Sequence, residues 1–195
     1  MPDPTLGGRL EGSGLTLTAP PGVVAAALGS TLTLKADVID REELEEFLAC
    51  VGLPEGVAAI GRAFALSAGL TENGQTGEPG TFDVPVFLTV ELTADELAAV
   101  TDPDDVGLFK VNPDGTMAFA GGRFVDGELN VGLWNFSLYV LAEVDLTFVD
   151  LQGHWARADV ELMASKYVVK GLPAVSSSPA VRSRGRSLLA CWCGR

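Results

Sequence analysis

The sequence predicts an α+β protein, mainly an antiparallel β-sandwich followed by a short α-helical module. Three observations lead there. Residues 106–144 hold four short apolar runs separated by Pro113-Asp114-Gly115, Asp126-Gly127 and similar turn residues, the spacing of a sandwich. The stretch from 154 to 169 switches to helical period. Finally, 47% of the 195 residues are apolar, enough for the core of one ordinary domain plus a small module.

The elements follow in order. Residues 1–14, rich in Gly and Pro, read as a linker remnant. Leu15-Thr16-Leu17-Thr18-Ala19 alternates as a strand and closes at Pro20-Pro21-Gly22. Residues 30–38 alternate again. Asp40 is then placed to cap a helix on which Leu44, Phe47 and Leu48 share one face. Residues 58–68 and 84–92 are expected as strands paired across a polar loop. Thr93 to Glu96 has capping-box spacing and should open a short helical turn. VGLFKVN, TMAFAGGRF, ELNVGLW and NFSLYVLAEV complete one β domain over 15–146.

Composition excludes several partners. The formal net charge is −13, and all 26 acidic residues precede Leu172. Four of the 13 basic residues, Arg182, Arg184, Arg186 and Arg195, follow it. So acidic a body repels nucleic acid and anionic lipid. No stretch approaches the roughly 20 apolar residues of a membrane span. The first residues have neither the basic nor the apolar region of a signal peptide. Cys50 reads as a buried or half-buried thiol, and the odd number of cysteines argues against a disulfide framework. Cys191-Trp192-Cys193 lacks the spacer and second ligand pair of a zinc or redox motif. Asp102-Pro103-Asp104-Asp105 lacks the spaced ligands and terminal Glu of a calcium loop and reads as an ordinary turn. No metal or cofactor is expected.

The C-terminal stretch FVDLQGHWARADVELMASKYVVKG, residues 148–171, carries the most information. Ala156, Val160, Met163 and Tyr167 recur at helical steps as one apolar stripe. Asp150 precedes that helix, where a carboxylate offsets the dipole, and Gly171 stands at its exit. A helix this short needs a neighbour to cover its stripe. For His154 and Trp155 two readings stand equal: a packed Trp with a locally bonded His, or direct ligand contact.

Phe148-Val149-Asp150, Gly153-His154-Trp155-Ala156 and Lys170-Gly171 resemble the front half of an S-layer homology (SLH) module, the repeat that holds exported bacterial proteins on the cell wall. The sandwich adds to this: LTLTAPPG with STLTLKA resembles segments of Gram-positive surface proteins, and FKVNPDGTMAFAGGRFVDGELNVGLWNFSLYVL resembles the hairpins before their wall anchors. The resemblance implies binding of secondary cell-wall polysaccharide, often pyruvylated, in grooves between three repeats. Asp150 and Trp155 match positions of fold and groove, His154 belongs to the motif, and Gly171 matches the turn before the second half. It further implies an extracellular, wall-associated location, other SLH repeats as partners, and export as part of a longer polypeptide.

The second half of the module is absent. The truncated module covers 147–173, and the tail, 174–195, has no acidic residue and no periodicity and reads as disordered. Codons allowed for residues 173–195, read two bases on, include a set encoding GGIFQPGRPVTRAEFAGLLVRA, the missing loop, TRAE motif and second helix. The tail is therefore expected to be frameshifted, and wall binding impaired. The leading expectation is a non-catalytic surface fragment, not an enzyme. The alternative is a carbohydrate-binding or glycan-active enzyme fragment, for which Asp83, Glu91 and Asp126 lie on or near strands but most simply form solvated faces. A third expectation is an S-layer or adhesin segment packing against its own copies.

Overall fold

A computed structural model describes residues 7–146, 148 and 151–167. Among these residues eleven strands and three α-helices follow in chain order, with a single 3-10 turn at Pro103–Asp105: β1 (Gly8–Gly12), β2 (Leu15–Ala19), β3 (Thr31–Ile39), α1 (Arg41–Val51), β4 (Val57–Glu72), β5 (Gln75–Gly77), β6 (Val86–Glu91), α2 (Ala94–Ala99), β7 (Val106–Val111), β8 (Met117–Gly121), β9 (Arg123–Val125), β10 (Glu128–Leu133), β11 (Leu138–Val144) and α3 (Arg157–Ser165). The strands form two antiparallel sheets, ordered β1-β2-β6-β10-β9 and β3-β4-β11-β7-β8, with β5 paired to the end of β4. The predicted class, mainly antiparallel sandwich with few helices, is what the chain adopts.

Two expectations about the strands are corrected. The presumed linker contributes β1, whose Gly8–Gly12 pairs with β2 along its whole length and tucks Leu10 against the core. The strands expected to pair with each other, at 58–68 and 84–92, fall in opposite sheets: β4 lies between β3 and β11, and β6 between β2 and β10. Nearness in sequence suggested a hairpin, but the register follows the burial of each apolar row.

The core lies between the sheets. Leu15, Leu17, Val86, Leu88, Val90, Leu129, Val131 and Leu133 face Ile60, Phe64, Leu66, Val106, Leu108, Tyr139 and Leu141. The two outer faces differ. In the first sheet strict alternation sends Thr16, Thr18, Phe87, Thr89, Asn130 and their neighbours outward. In the second sheet β7 and β11 are apolar on both sides, and their outer rows need a cover. The cover at one end is α1, which lays Leu44, Phe47 and Leu48 on Ala63, Val111 and Val140. Asp40 caps that helix through the Glu43 N–H at 3.0 Å, as expected, and Gly52 (φ +81°) ends it. Over the other end, Leu53, Phe119, Leu146 and Tyr167 cover Val57, Phe109, Ala142 and Val144. The Cys50 expectation is also corrected: this residue is exposed and disulfide-bonded.

One clamp closes an end of the sandwich. β4 advances from Ala59 to Ala63 while β11 steps only from Ala142 to Val140, a bulge that re-aims Arg62. The Arg62 guanidinium donates to the Ser13 carbonyl at 2.7 Å, the Glu91 carbonyl at 2.8 Å and the Glu96 carboxylate at 2.9 and 3.1 Å. Glu96, only 4% exposed, also accepts the Thr93 N–H at 2.8 Å, and Thr93 accepts the Glu96 N–H in return, the expected capping box. Gly61 leaves the room: a Cβ there would collide with the Glu96 carboxylate. Burial acts to raise the Glu96 pKa, but hydrogen bonds from Arg62 and Thr93 and the guanidinium charge together hold it below 4.5.

Candidate functional site

The turn and helix from 148 to 167 form the candidate site. Its lead-in is a tight turn: the Leu151 carbonyl accepts the His154 N–H at 2.9 Å, and the His154 carbonyl accepts the Arg157 N–H at 3.1 Å. The Ala156 N–H donates to His154 Nδ1 at 3.2 Å, so that nitrogen is the acceptor of the ring. Glu161 braces the turn, accepting the Phe148 N–H at 3.2 Å and Arg157 Nε at 2.9 Å. Within this frame Trp155 points outward, 87% exposed, its ring 5.5 Å from the His154 imidazole. Of the two readings for this pair, the local bond of His154 is present, but Trp155 is not packed: the turn places the indole in solvent.

The helix is shorter than the predicted 154–169, and of the predicted stripe Ala156, Val160 and Tyr167 are half-buried while Met163 is left exposed. Met163 and Leu162 are each 40% exposed, and the residues drawn inward are Ala164 and Ser165. The reason lies in how the helix is held. It docks onto the sandwich by its C-terminal end. Lys166 Nζ donates to the Val106 carbonyl at 3.1 Å, beside the turn Asp102–Asp105. Tyr167, at φ +56°, turns its ring to stack on Phe119 at 5.5 Å and 11° and meets Phe109 edge-on at 5.5 Å.

The acidic turn is organised by its own backbone. Asp102 accepts the Asp104 N–H at 2.9 Å, and Glu143 accepts the N–H groups of Thr101 and Asp102 at 2.9 and 2.6 Å. Burial raises the Asp105 pKa, opposed by the Ser165 hydroxyl, with Asp102 raising it further and Lys166 opposing. Burial likewise lowers the Lys166 pKa, against the pull of Asp105, Asp104 and Asp102. Among the described residues no group of three or more His, Cys, Asp or Glu is placed to hold a metal ion. The turn serves as the seat of α3.

Asp150 and Gly171 lie outside the described residues, as does the tail. His154 and Trp155 are brought together at the head of α3. Asp83, Glu91 and Asp126 are all exposed. Asp83 is used to accept the Ala25 N–H at 2.9 Å, and Asp126 occupies a turn at φ +52°. Sequence reasoning placed Tyr167 on the apolar stripe but missed Ser165, Lys166 and the partner surface they dock on. A positive φ at a tyrosine leaves no composition signal, and the acidic turn lies far upstream.

What this arrangement offers chemically is an amphipathic ring presented to solvent on a rigid turn, suited to stacking against the apolar face of a sugar. No family model matches the chain. It is 24% identical over 163 residues, 80% of its length, to an amylopullulanase of Thermoanaerobacterium thermosulfurigenes, and the match covers 8% of that protein. That relative is a glycan-active enzyme. The expectation that this chain has no enzymatic role is corrected by the similarity, which is to an enzyme.

Proposed function

We propose that this chain is a surface-attachment segment of a glycan-associated protein. The sandwich acts as the spacer, and residues 148–171 act as an SLH-type contact with secondary cell-wall polysaccharide. The observation that carries the reading is Trp155, within the Gly153-His154-Trp155-Ala156 motif, held out in solvent by a braced turn. The similarity to an amylopullulanase supports the association with glycans. In this reading the protein works outside the cell, at the wall, and other SLH repeats cover the exposed flank of α3 around Leu162 and Met163. Lacking the second half of the module, the chain alone binds weakly.

Co-sedimentation with purified sacculi tests this. The expected result is a weak but measurable bound fraction, lost when the secondary polymer is stripped and lost in Trp155→Ala. Equal sedimentation with intact and stripped sacculi would refute the proposal.

A second reading rests on the similarity to the amylopullulanase: the chain is part of the glycan-handling apparatus of a surface enzyme. Reducing-sugar release from a glycan panel, abolished by one carboxylate substitution, would establish it. No release by the full chain would leave any turnover to the rest of such an enzyme.

A further inference from the structure

We infer that the bare outer face of the first sheet is a docking platform for a neutral polysaccharide chain. The register sets one row of Thr18, Phe87 and Gly132 across β2, β6 and β10, and beside it a row of Thr16, Thr89, Asn130 and Arg123. Phe87 is 52% exposed, and Trp134, just past β10, is 57% exposed. Both present large amphipathic or apolar ring surface that a ligand can cover.

The surface beside Phe87 is shaped by Gly132. A Cβ at Gly132 would sit 3.5 Å from Pro85 and 4.0 Å from Phe87, ordinary contact distances, so a side chain is omitted there without being sterically excluded. Gly132 thus leaves a strip of backbone without a side chain beside Pro85 and the Phe87 ring. Alongside it, Thr89 donates to Asn130 Oδ1 at 2.8 Å, which orients the amide within a row of hydroxyl and amide groups. Rings that cover C–H faces, next to groups that exchange hydrogen bonds with hydroxyls, match a pyranose polymer.

Charge selects among occupants. Glu11, Glu91 and Glu128 share this face with Arg9 and Arg123, in a chain of net charge −13. An anionic polymer or an anionic lipid surface is repelled, whereas an uncharged glycan is not. This site is separate from the α3 module and does not rest on the wall-attachment reading.

Native affinity electrophoresis of the full 195-residue chain through gels containing pullulan, soluble starch or xylan tests the inference. At least one neutral polymer should retard the chain, and Phe87→Ala and Trp134→Ala should each weaken the retardation about tenfold. Gly132→Val, which adds a side chain beside Pro85 and Phe87 while keeping both rings, should weaken it as well, and Leu28→Ser, at an exposed position of another loop, should not. No retardation by any of the three polymers, or retardation that survives both ring substitutions, would overturn it. So would concentration-dependent self-association lost in the same variants, which would assign the face to a second copy. The sacculus assay reports on Trp155 and is read independently.

Discussion

The two sheets share one core but treat their outer faces in opposite ways. On the second sheet Phe109 is fully buried beneath Phe119 and Tyr167, and Val140 lies under α1. On the first, Phe87 stands half in solvent with polar neighbours. Both are phenylalanines pointing away from the shared core on a central stretch of strand. One is covered by its own chain, and the other is covered by none of the described residues. The difference teaches that an outer apolar row can be structural or can be left for a partner, and that the strand pattern foretells which. Runs apolar on both sides, like those of β7 and β11, belong to a sheet with a cover, and alternating strands to a sheet that faces water.

The largest effect should come from emptying the covered face. Phe109→Ala removes a fully buried ring that contacts two others and is expected to cost about 3–5 kcal/mol. The matching change on the bare face, Phe87→Ala, should stay within about 0.5 kcal/mol. Urea denaturation of both variants measures the contrast directly, and equal losses would break the comparison.

Next comes the clamp that ties the two sheets together. Glu96→Gln leaves the Arg62 charge without its partner and should cost about 3 kcal/mol at pH 7. Because folding lowers the Glu96 pKa, its contribution is present above 4.5 and fades as pH falls through the folded value. The gap between wild type and E96Q should therefore narrow on acidification. A gap constant from pH 7 to pH 3 would show that the pair is not what joins the sheets there.

A smaller effect is expected at the seat of α3. Tyr167→Ala strips the stacked ring from Phe119 and should cost about 1–2 kcal/mol, with faster amide exchange in α3. Unchanged exchange would mean that α3 is held without it. The smallest effect is at Asp105. Its pKa is raised, so the ionised form is disfavoured in the folded state, and that penalty is present at pH 7 and absent below both pKa values. Asp105→Asn should slightly raise the melting temperature at pH 7 and leave it unchanged near pH 3.

Much of this was legible in the sequence, and the failures have physical causes. Alternation and turn residues located the strands at Leu15–Ala19 and after Asp105, and cap chemistry located α1 and α2, because these signals are local. Pairing was not local. β6 was expected to pair with the nearest upstream strand, but the partners of Val90 are Leu15 and Leu129. The stripe on α3 was expected to be covered by its own module or another copy, not by the sandwich. In the fold, Phe109, Phe119 and the Val106 carbonyl capture the residues at its end, so Met163 is left outside and Tyr167 is turned inward. At the candidate site, His154 and Trp155 were visible as a motif. Whether the indole faced the core or solvent depended on the Glu161 brace, a contact with no signature of its own.

The position of β11 has a consequence for how the molecule comes into being. It is the last strand in chain order among the described residues, yet it lies in the middle of its sheet, between β4 and β7. Until Leu138–Val144 is available, β4 has no strand partner from Val57 to Arg62, and the hairpin of β7 and β8 has nothing to join. Assembly must therefore wait for the keystone strand, since the loops that bring these partners together are long and their closure is repaid only when β11 enters. α3 follows it immediately in the chain and seats on β7's neighbouring turn, so sandwich and module should mature in a single late step.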